Sequence, residues 1–262
     1  MSLDQHRHKK ALGQHFLHDR AVVDRIIRAL ALRPGERLVE IGPGGGALSF
    51  PLLDAHGELT VIEFDRDLVG PLAEAAREHG RLHIVHADVL SVDFSALAAG
   101  QPFRLVGNLP YNISSPILFH VLEHAAAVLD MHFMLQKEVV DRMGAAPGGK
   151  DYGRLSVMLQ AYCEVTPLFN VPPAAFRPPP KVDSAVVRLR PLPPAEIAVQ
   201  DRRQFAAVVK QAFGQRRKTL RNALSGTASS EQMQAVGIDP GARAETIAVE
   251  RFIALANALI GS

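Results

Sequence analysis

A chain of 262 residues that is 47% hydrophobic holds enough apolar material for one sizeable core and a small second domain. No apolar run approaches the ~18–20 residues of a membrane span, and Met1–Lys10 is polar and basic, without the apolar centre of a secretory signal. Membrane roles are therefore set aside and a cytoplasmic setting is expected, in keeping with Cys163 as the single cysteine, which allows no internal disulfide.

The net charge of +2 conceals an uneven distribution. Glu36–Asp93 carries 4 Arg against 11 Asp/Glu, a balance of −7, whereas Arg177–Arg221 carries 11 Lys/Arg against 3 Asp/Glu, a balance of +8. The first region repels polyanions and the second attracts them, which points to a nucleic-acid face late in the chain.

In chain order, Arg20–Leu32 has apolar residues at Val22, Val23, Ile26, Ile27 and Leu30, a helical spacing stopped by Pro34-Gly35. Strands are predicted at 37–41, 59–63, 82–86, 103–106 and 131–135, with helices at 47–53 and 67–79 between them. Near-continuous apolar strands separated by helices predict a parallel sheet covered on both faces. A pliable loop at 144–150 precedes a helix at 153–161. Strands at 165–171 and 182–189 follow, and the short connection between them suits an antiparallel pair. That connection, residues 172–180, contains five prolines and is expected to be stiff and extended. Pro191-Leu192-Pro193-Pro194 reads as a linker, dividing a catalytic domain (1–192) from a helical domain (193–262) with helices near 201–213, 218–224, 230–236 and 249–260.

Gly42, Gly44 and Gly46 occupy the first strand-to-helix turn, where glycine permits unusual backbone angles and close approach of a ligand. Glu40 precedes the turn inside the strand. Glu63 ends the second strand, ~20 residues after the first glycine, where a carboxylate can bind both ribose hydroxyls. Asp88 follows the third strand and can accept from an adenine amine. The turn has Pro43 between its glycines and no basic residue to meet a phosphate. A cofactor with an adenosine end and no phosphates fits better than a dinucleotide, and S-adenosylmethionine is the one expected. The 11 histidines show no metal-ligand spacing, and no metal is expected.

Asn108-Leu109-Pro110-Tyr111 follows the apolar run 103–106. The N6 lone pair of adenine is delocalised into the ring and is a poor nucleophile. The Asn108 side-chain oxygen and the Leu109 carbonyl can each take one N6 hydrogen, drawing the nitrogen toward tetrahedral geometry. Pro110 fixes the turn. Tyr111 can stack on the base, an interaction worth roughly 1–3 kcal/mol, and Phe176 in the proline-rich loop is expected to cover the other face. The base must leave its stack to enter, which favours a loop or single-stranded adenosine.

With these segments in view, the chain from about Lys10 to Leu259 closely resembles the ribosomal RNA adenine dimethyltransferases, specifically the bacterial type that dimethylates two adjacent adenosines near the 3′ end of 16S rRNA. The resemblance is carried by Gly13-Gln14-His15-Phe16-Leu17, by residues 39–44, 107–114, 134–139 and 152–157, by Pro179–Val187, and by Phe213–Asn222. It implies a Rossmann-like, class I S-adenosylmethionine-dependent fold with a small all-α C-terminal domain. It further implies cofactor contacts at His15, Leu17, Gly42, Glu63, Asp88 and Asn108, to which the glycine turn adds Gly44. His15 stands where many relatives have asparagine, Gly45 where they often have a larger apolar residue, and Ala248 where a serine often caps the last helix, which should weaken that cap by ~1 kcal/mol. Arg216, Arg217, Lys218 and Arg221 are expected to meet phosphate and so position the RNA rather than read its bases.

The expected partner is 16S rRNA in an immature small subunit, bound by a monomer. Two other readings stay open at the level of sequence. One is an assembly checkpoint whose binding matters more than catalysis. The other is a 23S rRNA or DNA adenine methyltransferase using the same amine motif.

Overall fold

The computed structural model describes residues 15–215 and 217–261. Its first half runs β1 (Phe16–Leu17), α1 (Arg20–Leu30), β2 (Arg37–Ile41), α2 (Ser49–His56), β3 (Glu58–Glu63), α3 (Arg66–Ala76), β4 (Arg81–His86), α4 (Phe94–Ala98), β5 (Phe103–Asn108) and α5 (Ser114–Glu123). The second half runs β6 (Val128–Gln136), α6 (Lys137–Met143), α7 (Arg154–Gln160), β7 (Cys163–Val171), β8 (Phe176–Arg177), β9 (Ser184–Pro191), α8 (Arg202–Phe213), α9 (Leu220–Ala223), α10 (Ser230–Ala235) and α11 (Val249–Ala258).

Seven strands form one sheet in the order β4-β3-β2-β5-β6-β9-β7. The first five are parallel and β9 joins β6 antiparallel. The central parallel strands β2, β5 and β6 are largely buried on both faces, with Leu129 the one exposed residue of β6, whereas no residue of the edge strand β4 is fully buried; the centre has the pattern of a sheet sandwiched by helices. From β2 the chain winds outward through β3 and β4, then returns to start β5 on the other side of β2. That reversal leaves a crevice beyond the carboxyl ends of β2 and β5, where open α/β sheets bind ligands.

Local chemistry sets the helix starts. Asp19 accepts from the amides of Ala21 and Val22 to open α1, and Val22, Ile26 and Leu30 then bury one helical stripe, each such side chain contributing roughly 1.5–3 kcal/mol. Asp65 opens α3 and Asp201 opens α8 in the same way. Ser229 and Gln232 form a reciprocal capping box at α10. Ala248 precedes α11 with no side-chain cap, as its residue type dictates.

Three helices were not anticipated from the sequence. α4 and α6 are short. In α5, Ile117, Leu118, Val121 and Leu122 are buried at helical spacing, a pattern present in the sequence but overshadowed by Pro116 in the first turn, where proline is tolerated. The proline-rich connection is also more structured than expected, because Phe176-Arg177 pairs antiparallel with Phe16-Leu17. β7 and β9, on either side of that connection, lie next to each other in the sheet.

The chain divides into two compact units. One comprises residues up to 140 with 166–191, and the other comprises 141–165 with 192 onward. The second boundary falls at the linker prolines. The first lies inside the region assigned above to the catalytic domain, because α7 packs against α8 and α11. Within this second unit the Tyr152 hydroxyl donates to the Ile247 carbonyl at 2.7 Å, and Phe213 lies between Tyr152 and Phe252 at ring-centre distances of 6.2 and 5.6 Å.

Candidate active site

A cavity of about 260 Å³ opens at the β2–β5 crevice and lies wholly in the first unit. It gathers His15 and Leu17 from β1 and its approach, Glu40 and Gly42–Gly44 from β2 and its turn, Glu63 from β3, Asp88 after β4, and Asn108–Ile113 from β5 and its loop. Residues that are up to 98 positions apart in sequence thus converge because four parallel strands end on the same edge.

The glycine turn owes its shape to backbones that side chains disfavour at Gly42, Gly44 and Gly46, the last with φ +82°. Gly42 has φ +68° and Gly44 φ +55°. The Gly42 amide donates to the Ile62 carbonyl at 2.9 Å, fixing the turn to the end of β3. A methyl group on Gly42 would meet nothing within 4 Å, so its bare backbone borders open space in the cavity.

Glu63 is 6% exposed. One carboxylate oxygen accepts from the Gly44 amide at 3.3 Å and the other from the Asp65 amide at 2.7 Å. Burial raises its affinity for a proton, and these amides oppose that shift. Asp88 uses one oxygen to cap the turn at Val89–Ser91 through the Leu90 amide at 3.0 Å. Its capping role and its place in the cavity wall coexist, since a carboxylate has lone pairs for both.

Asn108 terminates β5. Its Nδ2 donates to the His15 carbonyl at 2.9 Å, so Oδ1 is the end left to accept from a ligand. Leu109 follows with its amide bound to the Met134 carbonyl at 3.1 Å. The Tyr111 ring stacks against His15 at a centroid distance of 5.5 Å and 27° between planes. Its hydroxyl meets Ser184 Oγ at 2.7 Å, and burial raises its affinity for a proton. His15 is itself held by a 2.8 Å contact from Nδ1 to the Pro178 carbonyl.

Phe176 does not join this group. It is 1% exposed, pairs with Leu17, and packs in the core cluster with Val22, Ile26 and Val186. It is not among the described residues that line the cavity. Arg217 and Lys218 are exposed between α8 and α9 of the second unit and Arg221 is exposed within α9, and Arg216 lies outside the described residues.

Two residues of the site escaped sequence reasoning. Glu40 had been placed in the strand but given no role. It lines the cavity at 2% exposure, accepts from Ser49 Oγ at 2.6 Å, and burial pushes its pKa up to about 8, with the nearby Glu63 charge adding to the shift. A carboxylate inside Leu38-Val39-Glu40-Ile41 was the available signal, since an uncompensated buried charge is too costly to be incidental. Ser184 gave no such signal, because its partner is 73 positions away.

Among the described residues the wall has three acidic side chains, Glu40, Glu63 and Asp88, and no Lys or Arg. That lining suits a cationic ligand with a ribose and an adenine and disfavours a phosphate-bearing one. S-adenosylmethionine fits it: Glu63 could take the ribose and Asp88 the adenine amine, with the open Gly42 backbone leaving room for close approach. Among the described residues no group of three or more His, Cys, Asp or Glu is placed to hold a metal ion, and no helix is long and apolar enough to cross a membrane.

A family model for ribosomal RNA adenine dimethylases matches residues 5–260. The Ribosomal RNA small subunit methyltransferase A of Xanthomonas axonopodis pv. citri is 70% identical over 249 residues, covering 95% of both chains, and that of Xanthomonas campestris pv. campestris (strain B100) is 68% identical over the same shares. Among solved structures, a dimethyladenosine transferase from Plasmodium falciparum shares the fold at a TM-score of 0.76 and 23% identity, covering 92% of this chain and 96% of that one. The 23S rRNA methyltransferase ErmE superposes at 0.69 with 29% identity, covering 94% and 99%. The architecture is therefore the class I S-adenosylmethionine-dependent methyltransferase fold that the sequence led us to expect. With a match over nearly the whole chain, and with the glycine turn and Asn108–Tyr111 facing one cavity, the chain belongs to the ribosomal RNA adenine dimethylase family.

Proposed function

We propose that this protein methylates N6 of two adjacent adenosines in the 3′-terminal hairpin of 16S rRNA, using S-adenosylmethionine, on an immature small subunit in the cytoplasm, and that it works as a monomer. Its standing as an S-adenosylmethionine-dependent rRNA adenine dimethyltransferase follows from its family and its close relatives. The observation that carries the mechanism is the pinned Asn108 amide, which offers Oδ1 at the same cavity that holds Glu63 and Asp88.

S-adenosylmethionine, when bound, supplies an electrophilic methyl group on a sulfonium sulfur. Asn108 Oδ1 and the Leu109 carbonyl oxygen each accept one N6 hydrogen, which localises the nitrogen lone pair without a strong base. The monomethylated amine keeps one hydrogen, so one of these acceptors serves in the second round. Tyr111 offers a stacking surface for the base, and the rigid turn at Pro110 maintains the orientation on which most of the acceleration depends. The proton released from the product leaves to solvent. The helical region from residue 193, with Arg217, Lys218 and Arg221, would grip phosphate and set the register of the RNA.

The test is nucleoside analysis after incubating the protein and S-adenosylmethionine with small subunits that lack the modification, beside large subunits and duplex DNA. Dimethyladenosine confined to small-subunit RNA is expected, and Asn108→Ala should abolish it while leaving subunit binding intact. Methylation of large subunits or DNA instead, or full activity of Asn108→Ala, would overturn the proposal. Normal subunit maturation by a methylation-dead Glu63→Ala variant would shift the main role to assembly.

A further inference from the structure

The Tyr111 hydroxyl is held by Ser184, a residue that is fully buried and belongs to a different strand. Ser184 opens β9, pairs with Gln136 of β6, and follows Asp183, whose carbonyl accepts from the Lys137 amide at 2.9 Å. Its backbone is therefore immobilised by the sheet. Tyr111, by contrast, sits in the loop between β5 and α5. Its own carbonyl accepts a long, 3.3 Å bond from Ser114 Oγ. A phenol ring attached to such a loop can swing about its side-chain torsions. A 2.7 Å bond at its far end, to an anchor fixed in the sheet, removes that freedom. His15 already stacks on one ring face, so the ring has at most one face for a base, and its plane decides whether that face is correctly presented.

We infer that Ser184 is a positioning residue for methyl transfer: its buried hydroxyl locks the Tyr111 ring in the plane on which the target adenine stacks. The inference rests on the reading of Asn108–Tyr111 as the amine site. It assigns Ser184 no contact with the substrate or cofactor. Its influence passes through one hydrogen bond, so removing either partner should have the same effect, and removing both should add nothing.

The experiment is a double-mutant cycle in single-turnover methylation of unmodified small subunits, with Ser184→Ala, Tyr111→Phe and the double variant. S-adenosylmethionine affinity is measured by calorimetry and stability by thermal unfolding. Each single variant should slow transfer by about three- to tenfold, the scale of one hydrogen bond, with cofactor affinity unchanged. The double variant should be no slower than the slower single. Ser184→Thr, which keeps the hydroxyl, should recover rate relative to Ser184→Ala. Multiplicative losses in the double variant, an unchanged rate in Ser184→Ala, or a rate loss matched by lost cofactor affinity would overturn the inference. If Asn108→Ala and Tyr111→Ala retain full activity, the reading of the amine site itself fails, a result distinct from any outcome of the cycle.

Discussion

Glu40 offers the most quantitative prediction. Its carboxyl is 2% exposed and its proton affinity rises from an ordinary pKa of 4.5 to about 8 through burial, offset in part by the Ser49 hydrogen bond. The sign follows from proton counting. Above pH 4.5 the unfolded chain gives up this proton while the folded protein keeps it until about pH 8, so stability contributed by the neutral acid falls as pH rises through that window. At about 1.36 kcal/mol per pH unit the loss reaches about 5 kcal/mol by pH 8. Glu40→Gln is nearly isosteric, leaves an oxygen to accept from Ser49, and has nothing to titrate. Urea unfolding of both proteins at intervals from pH 5 to 9 should show the variant gaining steadily on the wild type, and most of the gain should be complete by pH 8. Apart from Glu63, whose charge couples to Glu40, other groups titrate alike in both, so the difference curve reports chiefly on Glu40. A flat difference curve, or one that rises toward acid, would refute the reasoning. Above pH 8, where Glu40 is ionised, the same variant should bind S-adenosylmethionine more weakly, since the cavity then lacks one carboxylate. A residue that costs stability while lining the ligand site is the trade expected at a functional position.

Two further outcomes follow from the geometry. In Gly107→Ala the new methyl would lie 2.7 Å from the Ile41 carbonyl oxygen, and β2 and β5 must separate at the ends that carry Gly42 and Asn108. A loss of about 1–3 kcal/mol is expected in thermal unfolding, and methylation should fall with it; wild-type stability would contradict the close approach of those strands. Replacing Arg217, Lys218 and Arg221 together by alanine should lower the slope of log affinity against log salt by about 0.7–0.9 for each phosphate contact removed, read by filter binding to small-subunit RNA, with cofactor affinity unchanged. An unaltered slope would remove these residues from the RNA face.

The parallel sheet was legible because central strands buried on both faces need near-continuous apolar runs, and 37–41, 59–63, 103–106 and 131–135 supplied them, while 82–86 at the edge carries two exposed histidines. The glycine turn and Asn108–Tyr111 were legible because each lies within a few consecutive residues. What escaped depends on partners distant in sequence. The connection that carries Phe176 was read as stiff and extended, and its two-residue pairing with Phe16-Leu17, which holds Phe176 in the core, is too short to leave a periodic trace. Ser184 and Tyr111 meet only once β9 has inserted beside β6. The grouping of 141–165 with the helical unit arises from packing of α7 on α8 and α11, which helical periodicity cannot assign to one neighbour or another.

The glycine turn separates conformational need from spatial need, and three alanine substitutions tell them apart. Gly45 has no positive φ and open space around its missing side chain, so Gly45→Ala should leave stability and cofactor binding nearly unchanged, as expected where relatives often carry a larger residue. Gly42 has a positive φ but meets nothing within 4 Å. Its alanine costs about 1 kcal/mol of backbone strain and also places a methyl group in the cavity, so cofactor affinity should fall by more than stability does. Gly44 combines a positive φ with a methyl position 2.8 Å from Phe16 Cε1. Phe16 is tied through β1 to β8, so Gly44→Ala must turn the Phe16 ring aside, displace that strap or distort the turn, which also carries the amide that donates to Glu63. Its loss should exceed those of the other two in both unfolding and calorimetric titration with S-adenosylmethionine. Equal damage from Gly45→Ala and Gly44→Ala would mean that glycine is required along the whole turn for flexibility, and the contact with Phe16 would lose its explanatory role.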